Sequence, residues 1–266
     1  MADLLKGKRG LVMGVANERS IAWGIAQSMA AEGAELAFSY QGEAFGRRVQ
    51  PLAESLGAEL MVEVDVTDEA SIDAAFARIG TAWGGLDFLV HAIAYTDKAE
   101  LATDFRFRDT TATNFTNTML ISCYSLISVA RRAATLMPAG GTMLTLTFDG
   151  GQRVMPCYNV MGVAKAGLEM AVRYLASDLG PQGIRVNAIS PGPMKTLAGS
   201  AIGAARRTFK HAEANAPLRK NATLGSIGGT AVYLASDYGA HTSGEVIHVD
   251  GGFHVMGMPV VENLGT

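Results

Sequence analysis

The chain has 266 residues, of which 48% are hydrophobic and 18% charged, and its formal net charge is −3. That balance describes a globular chain with a sizeable core and gives no electrostatic reason to bind nucleic acid. No apolar run reaches the length of a membrane span, two cysteines (Cys123 and Cys157) are too few for a disulfide framework, and the five histidines lack metal-ligand spacing, so no membrane contact and no metal are expected. Residues 1–8 lack the layout of a signal peptide, and a reducing cytoplasmic setting is expected.

Strand-like apolar runs alternate with helical periodicity. Residues 9–14 read as the first strand and 21–32 as the first helix. Strand 35–40 and helix 43–56 follow, then strand 59–65 and helix 69–83. Residues 86–93 give a fourth strand, nearly all apolar, and after a loop 111–137 give one long helix. A fifth strand at 142–147 precedes a helix at 158–179, and a sixth strand spans 184–190. A helical region then leads to a seventh strand at 245–249. This alternation predicts an α/β fold, a doubly wound sheet of seven parallel strands with helices on both faces. No linker or repeat interrupts it, so 1–266 reads as a single domain. The connection 192–223 is long for a compact domain and is expected to form a lid with a short helix.

The first strand runs into Gly14-Val15-Ala16-Asn17-Glu18-Arg19-Ser20-Ile21-Ala22-Trp23-Gly24. A glycine that ends a parallel strand and opens a helix lets phosphates approach the helix N–H groups. The spacing is not G-x-G-x-x-G. Ala22 and Gly24 are small enough for the helix to pack close to the sheet. After the second strand stands Gln41, where dinucleotide folds often carry an acid for the ribose 2′-hydroxyl. A neutral amide bonds a hydroxyl but offers no charge to a 2′-phosphate, so NADH is favoured, while the nearby Arg47 and Arg48 leave NADPH open. Asp65 and Val66 suit adenine, one for its amino group and one for its face; a turn or capping acid is an equal reading of Asp65.

Tyr158 and Lys165 lie seven residues apart. In a helix, seven positions return to within roughly 20° of the start. A phenol and an ammonium two turns apart on one face suit a single extended ligand, with Lys165 on a sugar hydroxyl and Tyr158 on a reacting oxygen. Cys157 reads as a small packing residue.

With these motifs in place, the chain resembles the short-chain dehydrogenase/reductase superfamily, whose fold is Rossmann-like, and within it the bacterial enoyl-acyl-carrier-protein reductases. The resemblance runs from Lys6 to Met258. Its most specific mark is the seven-residue Tyr–Lys spacing within Tyr158-Asn159-Val160-Met161-Gly162, where other members of the superfamily use four. Residues 185–193 and 244–252 carry it further.

The resemblance implies NADH-dependent reduction of trans-2-enoyl thioesters bound to acyl-carrier protein. Gly14, Ser20 and Ile21 would meet the pyrophosphate, Gln41 the adenosine ribose, Asp65 and Val66 the adenine, and Ile93 the cofactor near the ribose. Lys165 would bond the nicotinamide ribose, Met194 the carboxamide through its backbone, and Thr196 the phosphates. Tyr158 would donate a hydrogen bond to the thioester carbonyl. Tyr95, Phe148, Pro156, Met161, Leu197, Ile202 and Phe209 would line the acyl pocket or lid. Arg206 and Arg207, extended by Lys210 and His211, would dock the acidic carrier protein, and a homotetramer is implied.

Three positions depart from the pattern. Phe148 replaces a second tyrosine, leaving Tyr158 as the sole phenol. Ala94 replaces a glycine, narrowing the space for flat diphenyl-ether inhibitors. Gly203 replaces the first basic residue of the docking patch. A ketoreductase or alcohol dehydrogenase of the same superfamily, or a silent NAD(H)-binding sensor, are the alternative functions.

Overall fold

A computed structural model describes residues 3–264; the ends of the expected domain, residues 1–2 and 265–266, lie outside the described residues. Seven strands form one sheet: β1 (Arg9–Met13), β2 (Glu35–Tyr40), β3 (Leu60–Glu63), β4 (Phe88–His91), β5 (Gly141–Leu146), β6 (Ile184–Pro191) and β7 (Val246–Val249). Their order is β3-β2-β1-β4-β5-β6-β7 and every neighbouring pair is parallel. The expected fold class is therefore the observed one.

The helices are α1 (Ile21–Ala31), α2 (Gly42–Ser55), α3 (Glu69–Trp83), α4 (Ala112–Met119), α5 (Ser125–Thr135), α6 (Val160–Leu179), α7 (Leu197–Ser200), α8 (Ala205–Asn215) and α9 (Leu224–Ala235). Successive strand residues feed opposite faces. Leu11 and Met13 join Ile72 and Ile79 of α3, Leu126 of α5 and Leu168 of α6 in one core. Val12 joins Ile25 of α1, Val49 of α2 and Ile227 of α9 in the other. Both faces of the sheet are thus covered, which is why apolar residues feed both faces of its central strands. Strand order reverses between β1 and β4, so a crevice opens at their carboxyl ends.

Four expectations need correction. The long helix at 111–137 is broken: a π-helical turn, Leu120–Tyr124, separates α4 from α5. Polar side chains fix it. Ser122 Oγ accepts from the Tyr95 N–H and donates to the Tyr95 carbonyl, both at 2.9 Å, and Ser125 Oγ donates to the Ile121 carbonyl at 2.6 Å. Such turns recur at functional sites. The helix expected at 158–179 begins at Val160, leaving Tyr158 in the turn before it. Gly24 serves helix–helix packing rather than helix–sheet packing, since a Cβ there would lie 2.6 Å from Leu224 Cβ of α9. The connection 192–223, expected to form a lid with a short helix, carries two helices, α7 and α8.

Candidate active site

Three consecutive residues leaving β5 each grip one polar or aromatic group of the following segment. The Leu146 carbonyl accepts from Lys165 Nζ at 2.6 Å. The Thr147 hydroxyl donates to Glu169 Oε1 at 2.7 Å. The Phe148 ring meets Tyr158 edge-on with centroids 5.0 Å apart. Lys165 and Glu169, one turn apart on α6, share a helix face, while Tyr158 comes from the turn before α6. Tyr158 and Lys165 are thus brought to one strand end, by a turn and a strand rather than by a shared helix.

Backbone strain delivers the phenol. Cys157 and Asn159, on either side of Tyr158, have φ of 62° and 43°. Residues with a Cβ avoid this region, so surrounding contacts must hold it. Asn159 Nδ2 donates to the Glu100 carbonyl at 2.7 Å. Beneath the ring lies Gly150, where a Cβ would come within 2.3 Å of Tyr158 Cδ1. Burial, and secondarily the charge of Glu169, pushes the Tyr158 hydroxyl well above the ordinary phenol range. That hydroxyl has no hydrogen-bond partner among the described residues. Burial draws Lys165 down to about 8, with Cys123 and Glu169 acting against it. An ammonium has three donors, and only one of them is spent, on Leu146.

The carboxyl ends of the other strands gather the remaining residues. Gly14 follows β1 at φ 95°, and a Cβ there would stand 2.1 Å from the Ala92 carbonyl at the end of β4. Ser20 caps no N–H of α1; its Oγ instead accepts from the Ala16 and Asn17 N–H groups at 3.0 and 3.1 Å. With no side-chain cap and no acid in its first turn, α1 presents N–H groups and a positive dipole end to the crevice, with Ile21 at its first position. By contrast, Asp68 caps α3, which also opens on Glu69. The parallel register of Tyr40 with Glu63 sets Gln41 beside Asp65. Asp65 Oδ1 accepts from the Thr67 N–H and hydroxyl at 2.9 and 2.7 Å. Those two bonds hold its carboxyl below the ordinary carboxylate range, with a further contribution from the Gln41 amide. Val66 is buried, and Ile93 and Met194 are half-buried. The Thr196 hydroxyl accepts from the Gly199 N–H at 2.9 Å and so caps α7. This end fits a dinucleotide: an uncapped helix terminus for the pyrophosphate, two free ammonium donors for a ribose diol, and polar groups at β2 and β3 for an adenosine.

The sequence model for enoyl-(acyl carrier protein) reductase matches residues 14–254. The chain belongs to the enoyl-acyl-carrier-protein reductase family. It is 54% identical to an enoyl-acyl-carrier-protein reductase (NADH) of Rhizobium meliloti over 99% of this chain and 98% of the relative. Among solved structures it is similar to the Anaplasma phagocytophilum reductase in complex with NAD, at 50% identity and a TM-score of 0.92 over 97% of this chain and 96% of that one. It is likewise similar to FabI from Candidatus Liberibacter asiaticus, at 48% identity and a TM-score of 0.95 over 97% and 100% of the two chains.

In this family member, the expected acyl-pocket residues divide. Phe148, Met161 and Ile202 meet Tyr158 in one apolar cluster. Leu101 and Met155 complete that cluster and were not anticipated; Leu101 ends a short 3-10 turn and Met155 lies in the loop before Tyr158, and neither carries a period that marks its approach. Tyr95 and Leu197 are about half exposed, at 52% and 50%, and Pro156 is exposed. Phe209 lies outside the cluster, under Lys195 Nζ at 4.3 Å from the ring centroid. Arg206, Arg207, Lys210 and His211 are exposed along α8. Gly203 has a physical reason to depart from the family's basic residue. Its N–H donates to the Leu101 carbonyl at 2.7 Å, and a Cβ would lie 2.6 Å from that same oxygen. Ala94 is exposed in the loop after β4.

Proposed function

We propose that Tyr158 and Lys165 form the catalytic centre of this reductase within a single domain, 1–266, whose lid is 192–223. The enzyme reduces trans-2-enoyl-acyl-carrier-protein thioesters to saturated acyl thioesters, a step of fatty-acid elongation, with NADH as cofactor. When bound, NADH supplies the hydride that adds to the β-carbon of the enoyl group. Negative charge then gathers on the thioester carbonyl oxygen, and Tyr158 donates a hydrogen bond to it. A donor aimed at developing charge stabilises the transition state more than the ground state. Burial keeps that phenol protonated, and so a donor, across the working pH range. The two unspent donors of Lys165 would bond the nicotinamide ribose. Gly14, Ser20, Ile21 and Thr196 would meet the pyrophosphate, and the Met194 backbone would hold the carboxamide. Gln41, Asp65, Val66 and Ile93 would hold the adenosine and ribose faces, with Gln41 favouring NADH over NADPH.

The observation that carries this reading is a buried phenol whose hydroxyl lacks a partner among the described residues, packed at the strand end where a buried ammonium keeps two donors free. Phe148, Met161 and Ile202 wall the acyl chain, with Tyr95 and Phe209 at its mouth. Tyr158→Phe is expected to lose 10²–10³-fold in turnover, on the order of one oxyanion donor, and to bind NADH as before. Near-normal turnover of a crotonyl thioester would remove Tyr158 from the mechanism. Faster turnover of a β-ketothioester by the wild type would point to a ketoreductase.

The reading extends to a cytoplasmic homotetramer that receives acyl-carrier protein at Arg206 and Arg207. No helix among the described residues is long and apolar enough to cross a membrane. Reversing both charges, Arg206→Glu with Arg207→Glu, raises KM for carrier-linked substrate and leaves a short CoA thioester unaffected. Equal effects on the two substrates would argue against docking there.

A further inference from the structure

Glu169 holds neither cofactor nor substrate in the mechanism above, yet it is only 3% exposed. It joins two walls of the site. Oε1 accepts from the Thr147 hydroxyl at 2.7 Å, and Oε2 accepts from the Gln152 amide at 3.0 Å. The fit is close: a Cβ on Gly151 would lie 3.0 Å from Oε1 and 3.0 Å from the Lys165 carbonyl carbon. Among the described residues, no lysine, arginine or histidine forms an ion pair with Glu169.

A buried carboxylate met only by neutral donors is costly. A glutamine of the same shape would reach the same two partners, its amide donating to the Thr147 hydroxyl while its oxygen accepts from Gln152. It would do so with a smaller desolvation penalty. Packing and hydrogen bonding therefore account for the length of this side chain but not for its charge.

The groups that face it account for the charge. Lys165 lies one turn back on α6, and Tyr158 comes from the turn before that helix. His248 approaches from β7 and feels the same charge. Asp149 of the neighbouring turn is already paired with Arg153 at 2.6 Å. A negative charge at this place favours the ammonium of Lys165 and opposes a phenolate on Tyr158. Those are the two protonation states on which the reaction depends.

We propose that Glu169 is a positioning residue: its charge favours the ammonium of Lys165, while its two hydrogen bonds fasten the 147–152 turn to α6. The proposal rests on the assignment of Tyr158 and Lys165 made above. Burial already brings Lys165 to about 8. Cys123 and Glu169 are the two groups that oppose this fall, and without Glu169 it goes further.

The test uses the full chain and three readouts: NADH affinity by fluorescence titration between pH 6 and 10, turnover of a crotonyl thioester over the same range, and Tm. In Glu169→Gln the pH at which NADH affinity and turnover fall off moves down by about one unit, which makes NADH binding at pH 8 weaker by up to about tenfold. Affinity at pH 6 stays within about twofold, and Tm changes little because the smaller desolvation penalty of the amide offsets the lost attraction to Lys165. Thr147→Val, which loses one hydrogen bond and keeps the charge, lowers Tm and leaves the pH midpoint in place. An unmoved midpoint in Glu169→Gln overturns the proposal, as does a fall in Tm with an unmoved midpoint, which would leave a purely structural role. Should the glutamine variant not fold, Glu169→Asp draws the charge back by one methylene, and a midpoint equal to wild type there overturns the proposal as well. Failure of the underlying assignment is read separately, as full turnover in Tyr158→Phe.

Discussion

The half of the molecule built on β1–β3 and the half that follows β5 place residues in left-handed backbone by different means. In the first, left-handed backbone falls on glycines such as Gly14 and Gly42, with φ of 95° and 68°; among the described residues before β4, Asp3 alone has a side chain at positive φ. In the second, Cys157, Asn159, Ala204 and Arg219 take φ of 62°, 43°, 59° and 51°. The first pair flanks Tyr158 and the second brackets α8. Each such residue costs about 1–3 kcal/mol, and it persists only where the surrounding structure holds it. Asn159 is tied to the Glu100 carbonyl, and Arg219 Nη1 donates to the Ala216 carbonyl at 2.7 Å. On the function proposed above, a dinucleotide would be met largely by backbone, which requires close approach and small residues. A reacting carbonyl would be met by one side chain, which requires a turn strained into place and pinned from several directions.

That contrast is most exposed at Gly14. Its φ of 95° and the 2.1 Å approach of a Cβ to the Ala92 carbonyl leave no room for a methyl, because the obstruction is backbone. Gly14→Ala is expected to weaken NADH binding by about 10²-fold or more and to lower Tm, since both the φ and the contact are unfavourable. Binding within threefold of wild type would show that the crevice does not depend on this approach. Gly150→Ala makes the opposite break. The new methyl displaces the Tyr158 ring, which lies 2.3 Å from its position, by an ångström or so. Turnover should fall by about 10²-fold while NADH binding changes little, as misplacement of a catalytic group predicts. If instead Gly150→Ala weakened NADH and left turnover alone, the two halves would not divide their labour as described.

The same contrast explains what the sequence could disclose. Alternation of apolar runs located the strands to within a residue or two, because regular elements carry a period. Gln41 and Asp65 were legible because they follow strands whose register brings them together. The phenol's true setting was not legible. Nothing in Cys157-Tyr158-Asn159 announces positive φ, and the stretch reads as the start of a helix. The π-helical turn at Leu120–Tyr124 is likewise set by Ser122 reaching the backbone of Tyr95, a partner 27 residues away. Glu169 had one available signal, its position four residues after Lys165, but a glutamate at that spacing reads as a solvated helix face until the turn after β5 closes over it.

Where the halves meet, at the end of β4, His91 is fully buried between them. Nδ1 lies 3.2 Å from the Thr145 hydroxyl and Nε2 lies 2.8 Å from the Ser125 hydroxyl. Burial, with the positive charge of Lys165 second, lowers its pKa from 6.5 to about 3. Between those values the unfolded chain binds a proton at this position and the folded chain does not. Its contribution to stability is therefore complete above pH 6.5 and is lost as pH falls through that window toward 3. His91→Gln keeps a hydrogen-bonding side chain and removes the proton site. Its Tm should fall less steeply than that of wild type between pH 6.5 and 4, by an amount corresponding to one proton in the linkage. Equal acid slopes in the two proteins would mean that the seam does not sense acid through this ring, and that any loss of stability there arises from carboxylates in one half or the other.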